Sequence, residues 1–343
     1  MSSKLVLIDS LYINNSGGFR LLDYLVRTLT KEEIQFFLIA DERCRGRMGH
    51  CQSVQYMKAS LRNRRIFYAS HYNDFAKVFC FGNIPVPIKL KVPVYTYFHN
   101  INLLTLKEAR SFKELVAMWL KRQVFRALKN NTDLWIVQTS NTSDELKAHL
   151  HESDERVIIL PFYELPGDFQ SLRSTSHGDD YVYISNYTGA KGHETLLEAW
   201  QLLHNRGIDK TLHLTVSNRQ TTFLEKLNKA QEQGVRIINH GSIPFDKVLN
   251  LYRESKALIY PSHNESLGLG IIEAISAGCD VIGADLPYLY AICKPSVTFN
   301  PYSAISVADA VCQYETKQFE KSSLIINNKI DEIVELIFST NRG

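Results

Sequence analysis

The feature that most narrows the possible folds is a rhythm. Apolar runs of about four to six residues recur along the chain, each followed by a longer segment whose apolar residues return with helical period. Short buried strands alternating with helices form βαβ units, and these build parallel sheets covered by helices on both faces. In the first half the runs place strands near 4–9, 34–40, 77–81, 93–98, 133–138 and 156–160. The rhythm then restarts, with strands near 181–185, 211–217, 235–238, 257–260 and 280–283 and helices such as 192–205 and 245–255 between them. Residues 164–180, rich in Pro, Gly, Ser and Asp, carry neither period and mark the best boundary. A length of 343 residues suits two such domains. The expected division is 1–165, 166–316 and a terminal helical stretch, 317–343. That stretch carries an apolar stripe of Ile325, Ile326, Ile330, Ile333, Val334, Leu336 and Ile337. It is expected to add no strand and to fold back over the first domain. No short-period repeat argues for a solenoid.

Charge separates the two halves. The chain as a whole is near neutral, at +3. Residues 1–150 hold 22 Lys and Arg against 12 Asp and Glu, a balance of +10, while residues 151–343 hold 17 against 24, a balance of −7. The basic residues cluster at Arg43, Arg45 and Arg47, at Lys58, Arg62, Arg64 and Arg65, and at Lys121, Arg122, Arg126 and Lys129. The last group ends the segment LVAMWLKRQVFRAL (115–128), which mixes apolar and basic residues at helical spacing. Such a helix either lies on an anionic membrane or is a solvated face with Trp119 and Phe125 in the core. No apolar run approaches the ~18 residues of a membrane span. The opening Met1-Ser2-Ser3-Lys4 leads into a stretch too short for a secretory signal, expected to be a buried strand. Six scattered cysteines without a CxxC pair fit a reducing cytosol and no zinc site.

The most informative string is ALIYPSHNESLGLGIIEAISAG (257–278). A strand ends in a polar turn, and a helix opens near Gly268 and stops at Gly278. Ligands of open α/β sheets bind at the carboxyl ends of strands, against the free amides of helix N-termini. Glu265 sits in the turn and Glu273 in the helix. A carboxylate at a helix N-terminus is held as the anion, which suits hydroxyl binding better than proton donation. The bland alternative has Glu265 capping the helix and Glu273 solvated. This string resembles the donor-site signature of the retaining glycosyltransferases of family 4, which have the GT-B fold: two Rossmann-like domains facing a central cleft. The resemblance rests on Pro261-Ser262, then Glu265 to Leu269, then Glu273-Ala274, with Leu267 where the family often has Phe. It implies that Glu265 contacts hydroxyls of the transferred sugar. The backbone from Ser266 and Leu267 through Gly268 and Leu269 would meet sugar and diphosphate, and Glu273 would hold the ribose.

A second string, YVYISNYTGAKGHETLLEA (181–199), resembles the same family's diphosphate loop. Lys191 matches the lysine that neutralises the leaving nucleoside diphosphate. The arginine expected five residues earlier is replaced by Asn186, leaving one cation fewer unless a residue such as Arg219 supplies it. In the first half, DSLYINNSGGFR (9–20) joins the first strand to the first helix. Its Gly17 and Gly18 are turn punctuation or, as the resemblance implies, a loop facing the donor. His99, at the end of another strand, is a structural group or, by the same resemblance, a contact to the donor sugar or the reacting oxygens. Ser185, Ser217, Asn218, Gly241 and Ser242 also fall at strand ends, Asp285 to Pro287 follow what reads as the last strand, and 258–260 read as core only.

The resemblance therefore implies a retaining glycosyltransferase of hexosyltransferase type, with residues 1–165 for the acceptor and 166–316 for the donor. A hexose or N-acetylhexosamine would pass from a nucleotide diphosphate sugar, UDP expected ahead of GDP, to a glycan hydroxyl. The expected acceptor is a lipid-linked precursor of surface polysaccharide of O-antigen, lipopolysaccharide or capsule type. His99, Lys191 and Glu265 are the expected catalytic set. No metal and no cofactor beyond the donor are expected. The location would be cytoplasmic, with peripheral contact to an anionic membrane through the basic half. Without a recognised nucleic-acid module, nucleic acid is not expected as a partner. The alternatives are a nucleotide-sugar epimerase on the same fold and a non-catalytic sugar- or lipid-binding relative.

Overall fold

A computed structural model describes residues 4–14, 16–49, 51, 53–71, 73–104, 112–165 and 178–339. The chain divides into two compact units, one running to Glu164 and resuming at Asn327, the other spanning Leu165–Ile326. The segment expected to separate them lies outside the described residues from 166 to 177.

The first unit is built on a seven-stranded sheet. In chain order its elements are β1 (Leu5–Asp9), α1 (Ser16–Lys31), β2 (Phe36–Asp41), β3 (Val54–Met57), α2 (Leu61–His71), β4 (Phe75–Cys80), β5 (Val94–Phe98), α3 (Phe112–Leu128), β6 (Leu134–Val137), α4 (Ser140–Leu150) and β7 (Val157–Ile159). The strands lie in the order β3-β2-β1-β4-β5-β6-β7, and every described pair is parallel. Val6, Leu7 and Ile8 are all buried. Residues pointing to opposite faces are thus covered alike, as a parallel sheet between two helical layers requires. In α1 the buried Leu22, Leu25, Val26 and Leu29 recur at helical spacing and cover one side.

The second unit repeats the plan with β8 (Tyr181–Tyr183), α5 (His193–Asn205), β9 (Leu212–Leu214), α6 (Thr221–Glu232), β10 (Ile237–Asn239), α7 (Phe245–Glu254), β11 (Ala257–Tyr260), α8 (Leu269–Ala277), β12 (Asp280–Ala284), α9 (Pro287–Tyr290), β13 (Cys293–Lys294), β14 (Val297–Phe299), α10 (Ala304–Thr316) and β15 (Ser323–Leu324). Its sheet has the order β10-β9-β8-β11-β12-β14, again parallel. Strand order reverses at β1/β4 in one sheet and at β8/β11 in the other. Loops leaving neighbouring strands in opposite directions open a crevice at such a point.

Three expectations are corrected. The strand β12 is not the last, because β14 follows it at the sheet edge. Both unexpected sheet strands, β3 and β14, are short edge strands and carry no long apolar run. The helix expected over 317–341 is confined to α11 (Ile330–Phe338), and the stretch before it does add a strand, β15, paired antiparallel with β13. Here the chain is held by polar bonds. The Asp280 carboxylate accepts from Ser322 N at 2.8 Å and from the Ser296 hydroxyl at 3.0 Å, and Ser322 Oγ accepts from Val281 N at 2.7 Å. Ile325 is accordingly 55% exposed, whereas Ile330, Ile333, Val334 and Ile337 are buried. The terminal helix belongs to the first unit. Lys329 N donates to Pro161 O at 2.8 Å, and Lys77 Nζ reaches the carbonyls of Leu336 and Ser339 at 3.4 and 3.1 Å, where a cation meets the helix C-terminus.

Candidate functional site

In the second unit, the loops after β8 and β11 form the walls of the switch-point crevice. They meet backbone to backbone. His263 N donates to Ala190 O at 2.7 Å, and a Cβ on Gly192 would stand 2.5 Å from Pro261 O. Gly192 also has φ +65°, a left-handed conformation that L side chains rarely adopt. This contact brings Lys191 and Glu265, 74 positions apart in the chain, into a direct ion pair between Lys191 Nζ and Glu265 Oε1. The Tyr260 hydroxyl donates to the same oxygen at 2.7 Å. Both donors use Oε1, so Oε2 keeps lone pairs for a further donor. Tyr260 was expected to be core only. Its ring is buried, but its hydroxyl orients the glutamate, and burial followed by the nearby Glu265 charge holds the phenol protonated, with its pKa well above the ordinary value. The Tyr183 hydroxyl donates to Lys191 O at 2.8 Å and fixes the lysine's backbone.

The helix α8 begins where the sequence placed it, with Gly268 as N-cap at φ +63° and Gly278 as C-cap at φ 97°. Past the left-handed glycine at the entry, Ile271 N already donates to Gly268 O at 2.8 Å, so the amides of Leu269 and Gly270 are the first-turn donors open to a ligand. Leu267 is buried, so only its backbone is available at the site, while Ser266 and Leu269 are half-buried. Glu273 is 4% exposed and is therefore no solvated side chain. Asn186 is exposed in the loop ahead of Lys191, and Arg219 is exposed in the turn after β9, the neighbour of β8.

The first unit closes its switch point in a parallel way. Phe81 N donates to Asp9 O at 2.8 Å, and a Cβ on Gly82 would stand 2.3 Å from Leu11 O. Gly17 and Gly18 were expected in the loop after the first strand. They stand instead in the first turn of α1, and a Cβ on Gly18 would meet His99 Cε1 at 3.0 Å. His99 is gripped by Asn83, whose side-chain oxygen accepts from His99 N at 2.7 Å. Its Nε2 lies 3.2 Å from Phe81 O, and its ring packs against Phe81 and Tyr97. Burial pushes its pKa down to about 4, so the ring is neutral at neutral pH. Beneath it Arg64 ties the floor together, bonding Asp9 at 2.7 Å and the carbonyls of Pro85 and Ile84 at 2.7 and 2.8 Å. Desolvation opposes that buried charge most strongly, and the Asp9 carboxylate together with Cys80 and Tyr68 more than offsets it. Over this floor lies a cavity of ≈ 580 Å³ lined by Gly18, His99, Ile84, Leu103, Leu120 and Val124 among others.

Asn83, Arg64 and Tyr260 were not expected at a site. Asn83 had a signal, since Gly-Asn directly after a strand is turn punctuation and Asn tolerates its φ of 68°. Arg64 had none, because in the sequence it is one cation in a basic cluster. Among the described residues, no group of three or more His, Cys, Asp or Glu is placed to hold a metal.

Residues 167–331 match the family described as "Glycosyl transferases group 1". That segment, just under half of the chain, belongs to the group 1 glycosyl transferases. The segment carries both switch-point loops of the second unit, so the family match and the Lys191–Glu265 geometry coincide. Curated relatives of this chain include a D-inositol 3-phosphate glycosyltransferase of Corynebacterium aurimucosum, 25% identical over 207 residues, or 54% of this chain and 49% of that protein. A serotype-specific mannosyltransferase, WbdA, of Escherichia coli is 26% identical over 170 residues, 48% of this chain and 21% of that protein. The matches therefore span about half or less of these relatives. Solved structures share the fold over most of the chain. Sucrose-phosphate synthase of Thermosynechococcus elongatus aligns with a TM-score of 0.68 at 14% identity, covering 92% of this chain and 90% of that one. The lipopolysaccharide outer core galactosyltransferase WaaB aligns with 0.63 at 12%, and Anabaena HepE in complex with UDP and glucose with 0.63 at 14%, each covering 98% of this chain and 96% of its own. The fold is GT-B, and no helix among the described residues is long and apolar enough to cross a membrane.

Proposed function

We propose that this protein is a retaining glycosyltransferase that moves a hexose or N-acetylhexosamine from a nucleotide diphosphate sugar, a UDP-sugar ahead of a GDP-sugar, to a hydroxyl of a glycan acceptor. The observation that carries this reading is the Lys191–Glu265–Tyr260 cluster beside the glycine-capped start of α8. A diphosphate over the first turn of α8 would meet free amides and the Lys191 ammonium, which together balance the charge that builds as the sugar departs. Glu265 Oε2 would accept from a sugar hydroxyl, and Glu273 would hold the ribose. The acceptor oxygen attacks the anomeric carbon from the face the phosphate leaves. The bond to the phosphate oxygen breaks, the new glycosidic bond forms on that face, and the acceptor's proton passes to the departing phosphate. None of these steps calls for a metal or a cofactor.

The acceptor is assigned to the cavity beside His99, whose neutral imidazole hydrogen-bonds without adding charge. A lipid-linked precursor of surface polysaccharide fits its largely apolar wall. The solved lipopolysaccharide galactosyltransferase and the serotype-specific mannosyltransferase named above give the same direction from relatives.

Thermal denaturation against a panel of nucleotide sugars tests the donor assignment, since a ligand of the folded state alone raises Tm. One donor class is expected to stabilise the chain and to be hydrolysed or transferred, with the product anomer matching the donor by NMR. Glu265→Gln is expected to keep Tm and lower turnover about 10²-fold, while Glu273→Ala weakens nucleotide binding. A product of inverted configuration removes the retaining mechanism, and unchanged kinetics in both variants removes the site.

A further inference from the structure

The cavity beside His99 adjoins a surface that a soluble unit would ordinarily hide. On α3, Leu115, Val116, Trp119 and Leu120 are 38%, 39%, 50% and 52% exposed. At about 100° per residue they fall within one sector of the helix, whereas Phe125 turns inward and is buried. On α2, Leu61 and Ile66 are 40% and 56% exposed. Leu61 and Leu120 both line the cavity, so the apolar surface runs into it from two helices. Trp119 was one of two residues read as either core or surface, and it is surface.

The same helices carry the cations. Arg62 and Arg65 are exposed on α2, Lys58 stands just before it, and Lys121 follows Leu120 at the cavity wall. No carboxylate among the described residues pairs with any of these four. Arg122 and Arg126 converge on His149 at 2.7 and 3.4 Å, a neutral ring and not an acid. Exposed apolar side chains flanked by cations that meet no carboxylate among the described residues fit neither a solvated face nor an apolar protein groove, which would leave those charges unmatched. They fit an interface that is apolar within and anionic at its surface.

We propose that α3 and the start of α2 dock on an anionic lipid bilayer, with Trp119 and Leu120 entering the boundary between headgroups and acyl chains and the flanking Lys and Arg meeting lipid phosphates. The mouth of the cavity then lies at headgroup level, where an amphiphile can reach it without leaving the membrane. This goes beyond the donor reading and does not depend on it, because lipid binding needs neither donor nor transfer.

The test uses the full chain and vesicles of phosphatidylcholine with or without phosphatidylglycerol. Trp135 and Trp200 are buried, so a lipid-dependent change in tryptophan emission reports Trp119. A blue shift and co-sedimentation are expected with phosphatidylglycerol, and both are expected to fade at 1 M salt, where the screening length is about 3 Å. Trp119→Ser with Leu120→Ser should lower vesicle affinity about tenfold or more while leaving Tm and nucleotide-induced stabilisation in place. Arg62→Glu with Lys121→Glu, which leaves Trp119 and Leu120 in place, should do the same. An unshifted emission at low salt, or vesicle binding by both double variants as tight as the parent's, overturns the proposal. So does a concentration-dependent dimer abolished by the Trp119 and Leu120 substitutions, which would assign the patch to a second copy of the chain.

Discussion

The two sheets bring their switch-point loops together by the same device and then set different chemistry above it. In each, one glycine lets a loop press on the backbone of the other: Gly82 against Leu11 O in the first unit, Gly192 against Pro261 O in the second. Above Gly192 stand a lysine and a tyrosine hydroxyl that both contact one glutamate. Around Gly82 stand a neutral histidine and an apolar cavity. The scaffold is thus general, and the side chains over it decide whether a charged or an apolar group is received. Backbone contact serves this purpose because it fixes the loops without depending on rotamers.

The largest expected effect comes from breaking that contact. Gly192→Ala meets a carbonyl oxygen and a left-handed φ together, so it should destabilise the second unit by at least ~2 kcal/mol and abolish donor binding. Gly82→Ala meets the steric penalty alone and should cost less. Thermal unfolding with and without nucleotide ranks the two. Equal Tm values for Gly192→Ala and the parent chain would mean that the loops do not meet as described.

Next in size is Lys191→Ala. The lysine is the single cation of its loop, since Asn186 stands where an arginine was expected, so its removal should lower transfer about 10²-fold with Tm within a few degrees of the parent. Asn186→Arg tests the same point from the other side and should raise turnover in the parent. If Lys191→Ala retains its rate, charge balance comes from elsewhere, and Arg219→Ala in that background identifies whether Arg219 supplies it.

The contrast between the units also explains what the sequence could reveal. In the second unit the caps of α8, Gly268 and Gly278, were legible, because they and the glutamates eight positions apart are written into one short string. Its orienting hydroxyl was not, since Tyr260 is the last residue of an apolar run and looks like core. In the first unit the strands other than β3 were legible, and so was His99 as a candidate, but its neighbours were not. Arg64, Asn83 and His99 come from three distant segments, and only the sheet order brings them together. Two of the four edge strands of the parallel sheets escaped for another reason. Being half-covered, β3 and β14 have no need of an apolar run, and the polar bonds that tie residue Ser322 to Asp280 left no periodic trace.

A smaller effect concerns acid. His193 opens α5 directly after Gly192 and stands in an aromatic cage, its ring 4.9 Å from Tyr183 and 5.3 Å from Tyr187. Burial, with the Lys191 cation adding to it, lowers its pKa from 6.5 to about 3. Below pH 6.5 the unfolded chain takes a proton that the folded chain refuses until about pH 3. Stability is therefore complete above pH 6.5 and falls as pH drops through that window, by up to about 1.4 kcal/mol per pH unit. His193→Phe keeps the cage filled and should flatten the slope of denaturation free energy between pH 6 and 4, to be followed by urea unfolding at each pH. An unchanged slope would mean that His193 titrates normally.

The smallest effect is the sharpest check on the comparison. Gly18→Ala places its methyl 3.0 Å from the edge of the His99 ring, a side chain that can shift where a backbone carbonyl cannot. The position lies in the first turn of α1 with no left-handed φ to lose, and alanine is the better helix former by up to about 1 kcal/mol. The two terms oppose each other, so Tm should move by no more than about 2 °C, far less than for Gly192→Ala. Donor hydrolysis without acceptor should be unaffected, while acceptor-dependent transfer falls because the methyl narrows the cavity at His99. A large loss of stability in Gly18→Ala would make the wall of the first unit's cavity as rigid as the loops of the second, and the distinction between a fixed donor side and an adaptable acceptor side would go with it.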